Sequence, residues 1–272
     1  MEQLGRTWDL LKSCFAILRS DTELLLFPVV SALVSLVVLA IFTLPLIFAG
    51  FFEHSFSAIN LIVYFLFYLC QSMVLFYFNA GLVGSALIRL GGGNPTFDDG
   101  IRIASAHVKP ILGYAAVAAT VGVLLRTGRK RGLNKTLGKM AGMAWNVATT
   151  LVIPLIVSRP IGPLDAIAES TTLLKKTWGE NVIGSVGIWA GFKAITFIYV
   201  VFSVVVVIAC IQASGILAGT IGIIALLGLM TLIVLKSAIS AIYTAVLYHY
   251  ATEGHAPEGF ANQQLDLAFA QK

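Results

Sequence analysis

ILAGTIGIIALLGLMTLIVLKSAISAIYTAVLYHY, residues 216–250, decides the class of fold. Across this run the only Asp, Glu, Lys or Arg is Lys236. A helix needs about 20 mostly apolar residues to cross a bilayer, so this one exceeds the requirement. At about 1.5 Å per residue it would reach roughly 50 Å, overrunning the hydrocarbon or tilting within it. Leu24–Phe48, Ile59–Leu90 and Asn181–Ile211 are equally apolar, while Pro110–Leu125 and Met140–Val157 are shorter runs that leave open whether residues 110–157 cross fully or re-enter. These runs predict an all-α, polytopic helical bundle with about six transmembrane helices. The residue alternation that a membrane barrel needs is missing from them.

Composition agrees. Of 272 residues, 58% are hydrophobic and 11% charged, with a mean hydropathy of +0.91. A soluble domain carries about 25% charged residues, so most of this surface is built for lipid. The net charge of +5 therefore points to anionic headgroups at helix ends and not to nucleic acid. Cys14, Cys70 and Cys210 lie far apart and suggest neither a disulfide framework nor a metal site. The amphipathic opening, MEQLGRTWDLLKSCFAILRSDTE, lacks the basic n-region and short apolar core of a cleavable signal. The first span is expected to act as its own insertion signal.

Three amphipathic stretches separate the apolar runs. Gln3–Ser20 spaces Leu4, Trp8, Leu11, Phe15 and Leu18 at helical intervals. Thr96–Val108 opens with a capping box, Thr96 to Asp99, and Pro163–Trp178 starts with proline at a first helical position. In the latter, Leu164, Ile167 and Leu174 are expected on one side. The chain thus reads as one membrane domain, 1–272, in three units: an interfacial helix and a hairpin at 1–90, again at 91–158, and again at 159–260, with a short tail at 261–272.

Basic residues set the expected topology. With the N-terminus in the cytoplasm, twelve of the eighteen Lys and Arg fall inside and six outside, and both termini are cytoplasmic. All six outside charges sit in one loop, RTGRKRGLNKTLGK (126–139). The connections around Glu53–Asn60 and Gln212–Gly215 hold no Lys or Arg.

Several short motifs carry a family likeness: Trp8, Leu11, Lys12 and Ser13; Ile17-Leu18; Asp21-x-Glu23-Leu24-Leu25-x-Phe27-Pro28-x-x-Ser31; Trp145 with Pro154; and Gly162-Pro163 followed by Trp178-Gly179-Glu180. Together they resemble an uncharacterised prokaryotic six-span integral membrane family, a domain of unknown function, and the likeness covers most of the chain. It implies a multi-pass protein of a prokaryotic cytoplasmic (inner) membrane and no particular substrate. A looser likeness, limited to Ile17–Pro45, is to the start of CysZ-type sulfate permeases, whose helical hairpins penetrate part of the bilayer.

Chemistry is sparse. No P-loop, HExxH or GxSxG pattern occurs, and His54, His107, His249 and His255 are scattered along the chain. No cofactor, metal site or catalytic residue is expected, and the protein is not expected to be an enzyme. Closely spaced glycines at Gly81/Gly84, Gly138/Gly142, Gly184/Gly187/Gly191 and Gly215/Gly219/Gly222 suggest close helix contacts. Pro28, Pro45 and Pro154 could bend their helices.

Two sets of residues are candidate binding groups. Counting from the last hairpin turn puts Lys193 and Lys236 at one inner-face level, about 30 Å from it, with Asn79 at similar depth. They either snorkel to headgroups or line a vestibule for an anion or headgroup. Arg126, Arg129, Lys130, Arg131, Lys135 and Lys139 form a candidate anionic-lipid loop. Membrane lipids are the expected partners, with a second copy or a partner membrane complex as further candidates. The functional expectation is an integral membrane protein of structural or accessory role, and the alternative is a channel or transporter for a small, anionic solute.

Overall fold

Lipid offers no water to an unpaired backbone amide, so a spanning segment has to close its hydrogen bonds internally. The computed structural model describes residues 12–48, 58–130, 135–178, 186–211, 214–255, 257 and 260, and among them no strand occurs. The chain forms α1 (12–20), a 3-10 turn Thr22–Leu25, α2 (Leu26–Phe48), α3 (Ala58–Leu90), α4 (Phe97–Ala106), α5 (Val108–Lys130), α6 (Lys135–Ala148), α7 (Val152–Ser158), α8 (Pro163–Trp178), α9 (Val186–Ile211) and α10 (Gly215–Glu253). Six stretches among the described residues are long and apolar enough to span a membrane: Thr22–Leu44, Ile62–Leu90, Val108–Leu125, Met140–Ser158, Phe192–Ile211 and Gly215–Glu253. The expected six-span helical bundle is present.

The middle of the chain departs from a simple order of surface helix followed by hairpin. α4 folds back along the end of α3. Gly100 approaches Gly81 and Ser85, and the Tyr77 and Ser105 hydroxyls share a 2.7 Å hydrogen bond. After a single-residue interruption at His107, α5 continues down the same side of α3. Phe76 stacks on Tyr114 at 4.4 Å, and Gly122 reaches Tyr68. The pairings run in reverse order, so α4 and α5 together form one antiparallel partner for α3. The N-terminus of α4 carries the expected capping box. Thr96 Oγ1 accepts from the Asp99 amide, the Asp99 carboxylate accepts from the Thr96 amide, and Glu23 accepts from the Phe97 amide at 2.8 Å.

The fourth span is broken midway. α6 ends at Ala148 and α7 begins at Val152. Pro154 has no amide hydrogen for the Thr150 carbonyl and would crowd it in a continuous helix. The Thr149 and Thr150 hydroxyls turn back to the Trp145 and Asn146 carbonyls, which further favours leaving the helix here. The freed Leu151 amide donates to the buried Ser170 hydroxyl of α8 at 3.1 Å. Beyond the break, Leu151 to Ile156 are all buried, against α3, α8 and α10.

One core results, and it lies at one end of the bundle. It gathers Cys14 and Leu18 of α1, Leu24 and Phe27, residues 80–86 of α3, the α7 segment, Ala166 and Leu174 of α8, and residues 238–248 of α10. On α8 the buried stripe is Ala166, Ser170 and Leu174, and Leu164, expected on that face, is exposed. Leu4, Trp8 and Leu11 lie outside the described residues. Because the start of α2 and the ends of α3 and α10 meet in this core, the last residues of α2 and α9, Phe48 and Ile211, lie toward the opposite end. There the helices spread: no residue of Phe192–Ile211 is buried, and α9 packs chiefly on α10.

Candidate functional site: a basic groove at the ends of three spans

The packed end owes its closeness to missing side chains. A Cβ at Gly100 would stand 2.3 Å from the Phe27 ring and 2.8 Å from the Gly81 carbonyl, and one at Gly81 would stand 2.6 Å from the same ring. Phe27 fills the slot between α3 and α4 and packs against Phe97 with ring centres 4.7 Å apart and planes tilted by 42°. This contact fixes α4, and α4 fixes His107 and the start of α5.

Two adjoining surface cavities open where α4 meets α5. One, of about 340 Å³, is lined by Gly84, Ile88, Arg102, Ile103, His107 and Val157 among others; the next, of about 530 Å³, is lined by His107, Lys109, Pro110, Arg159, Ile161 and Pro163 among others. They share Ala106 and His107. Three spans end at this groove, at Leu90, Val108 and Ser158. Its floor is apolar and its rim is basic. Arg102 is held by Asp99 at 2.6 Å and Arg159 by Glu169, so three cations stand with two carboxylates. Backbone and hydroxyl donation from Thr96, aided by Arg102, keeps the Asp99 carboxyl below the usual carboxylate range. His107 Nδ1 lies 2.9 Å from the Ile103 carbonyl. A carbonyl can only accept, so Nδ1 carries the proton and Nε2 is the nitrogen left for other partners.

Two groups buried in the packed end, Cys14 and Asp21, are structural. Burial pushes the Cys14 thiol up to about 12, which leaves it protonated and unreactive. Asp21 is raised by burial against the opposing pull of Arg89 and the Glu23 amide.

The candidates read from sequence sit on three different helices. Lys193 is exposed on α9, Lys236 is half-buried on α10, and Asn79 is half-buried on α3. The Tyr199 hydroxyl donates to the Ala225 carbonyl at 3.0 Å and so fixes the α9–α10 register. Lys193 is six residues from Tyr199 and Lys236 eleven from Ala225, an offset of five residues or about 7 Å along the pair. None of the three lines either cavity of the groove. The side chains of Arg126, Arg129, Lys130, Arg131, Lys135 and Lys139 lie outside the described residues, as does His54. The groove escaped the sequence reading because its cations come from three separate segments, with ordinary spacing in each. His249 and His255, which looked scattered, are neighbours: their rings stack at 5.6 Å.

These features define a multi-pass helical membrane protein with one packed, amphipathic end and one end of spread apolar helices. Residues 58–260, 203 of the 272, match DUF6159, a family of unknown function, and the chain belongs to that family. No curated protein and no solved structure matches it. The match covers α3 to α10 and therefore includes the broken span and the groove.

Proposed function

We propose that this protein is a non-enzymatic structural or accessory component of a prokaryotic cytoplasmic membrane, with both termini in the cytoplasm, whose packed end holds anionic lipid in the inner headgroup layer. The observation that carries this reading is the groove's position. Three spans end at its edge, so its apolar floor faces the acyl boundary while Arg102, Lys109 and Arg159 stand at headgroup height. Each uncompensated cation near an anionic surface contributes on the order of 1 kcal/mol, and a headgroup phosphate here competes with Asp99 for Arg102 and with Glu169 for Arg159. Alongside it the packed end of the bundle is filled by Leu151, Val152, Leu155 and Ile156, with no measurable exposure. A path closed at that end favours a scaffold over a conduit.

A second reading, passage of a small anion, rests on the broken span. Transporters place broken helices at their binding sites, and here Ser170 and Thr149 hydroxyls surround the break. One reconstitution separates the two. In liposomes the purified chain should pass labelled sulfate and chloride no faster than protein-free vesicles. In nanodiscs, R102Q/K109Q/R159Q should retain less co-purified anionic lipid than the parent. Sustained anion flux would replace the scaffold reading with transport, and unchanged lipid retention would remove the groove from it.

A further inference from the structure

We propose that His249, Glu253 and His255 form a binding site for a divalent transition-metal ion of the zinc class at the cytoplasmic end of α10. The sequence H-x-x-x-E-x-H places the first two ligands one turn apart on the same helix face. The third comes from beyond the helix. Gly254 adopts φ of +75°, its amide closing on the Tyr250 carbonyl, and this left-handed turn brings His255 back over His249. His249 Nε2 lies 3.1 Å from a Glu253 carboxylate oxygen and His255 Nε2 lies 3.8 Å from the same oxygen. All three ligand atoms fall within 4.8 Å of one another. Zinc bonds of about 2.0–2.2 Å in a tetrahedron put ligand atoms about 3.3 Å apart, so small side-chain rotations close the set.

The surroundings suit a resident ion. The His249 side chain is mostly buried and its Nε2 is the nitrogen that faces Glu253, while its buried Nδ1 has no hydrogen-bond partner among the described residues. Glu253 and His255 are exposed and leave the fourth position to water. Two imidazoles with one carboxylate form a borderline donor set, which selects zinc-class ions over calcium or magnesium. Just beyond, Pro257 and Phe260 return to the buried core. A bound ion therefore clips the chain at the point where it leaves α10, a role distinct from the headgroup groove.

The test uses full-length, tag-free protein in nanodiscs after chelator treatment, with Zn2+ as titrant and Co2+ as a spectroscopic probe. One Zn2+ per chain should bind and raise the melting temperature, and Co2+ should give visible bands of a low-coordinate site. H255A, a change at an exposed position, and E253Q should each weaken binding more than tenfold and remove the thermal shift. H107A should bind as the parent does. Absence of saturable binding would overturn the proposal, as would binding that neither H255A nor E253Q changes.

Discussion

At the packed end Leu151, Leu155 and Ile156 are wholly enclosed, while on α9 Phe197, Ile198 and Phe202 are about two-thirds exposed. The exposed helix is no less a run of apolar residues than the packed segment, with Lys193 its only Asp, Glu, Lys or Arg between Phe192 and Ile211. In water such a face would be buried. Lipid solvates Phe and Val as well as another helix does, so apolarity does not decide what packs. Small residues and hydroxyls do. The packed faces carry Ala80, Gly81, Ser85 and Ala86 on α3, Gly100 and Ala104 on α4, Ala166 and Ser170 on α8, and Ala238, Ala241 and Ala245 on α10. Each lets a neighbouring backbone approach, and on α8 the Ser170 hydroxyl accepts from the Leu151 amide that the break exposes.

The largest expected difference between the two ends is in what a side chain contributes. L155A should cost about 2–5 kcal/mol, because it leaves a hole among fixed neighbours on α3, α8 and α10. F202A, at a lipid-facing position, should stay within about 0.5 kcal/mol. Unfolding by graded SDS in mixed micelles would measure both. Equal losses would mean that α9 is packed against something as firmly as α7 is, and the contrast between the ends would not hold.

The contrast sharpens with glycine. G100A places a methyl group against Phe27, Ser85 and the Gly81 carbonyl, where backbone blocks the retreat, and should cost about 1–3 kcal/mol. G222A meets nothing within 4 Å and should be neutral or stabilise by up to about 1 kcal/mol through helix propensity. The same unfolding assay decides it.

These glycines also mark how far the sequence could be read. Span number, helical class, the Thr96 capping box and the proline start of α8 were legible, because each is a local pattern with a local cause. Which glycines pack was not. Gly81 and Gly84 meet Phe27 and Ile103, whereas Gly142, Gly215, Gly219 and Gly222 face open space, and nothing in their spacing differs. A close approach belongs to the opposite helix as much as to the glycine. The groove was hidden for the same reason, since Arg102, Lys109 and Arg159 converge only after α4 has folded back along α3. Depth counting placed Lys193 and Lys236 near each other along the bundle but could not say which way either side chain turns. The His249–His255 pairing needed a left-handed turn at Gly254, and spacing alone does not reveal a φ angle.

The smallest expected effect tests what holds the spread end together at all. α9 packs chiefly on α10, and one polar contact between them is the Tyr199 hydroxyl on the Ala225 carbonyl. That carbonyl already accepts within its own helix, so the tyrosine adds to a satisfied group. Hydrogen bonds between membrane helices average about 0.6 kcal/mol, and Y199F should cost about that much. G228A reaches the same contact from the other side, because a Cβ there would stand 2.0 Å from the hydroxyl and force the ring away. The two losses should therefore overlap, with the double variant costing less than the sum of the singles. Additive losses would show that Gly228 serves a separate contact. A loss above about 2 kcal/mol for Y199F would exceed the range of such bonds and would mean that the outer hairpin is braced by more than its own pairing. A loss near the average leaves α9 and α10 as a pair supported by lipid, beside a core that lipid does not enter.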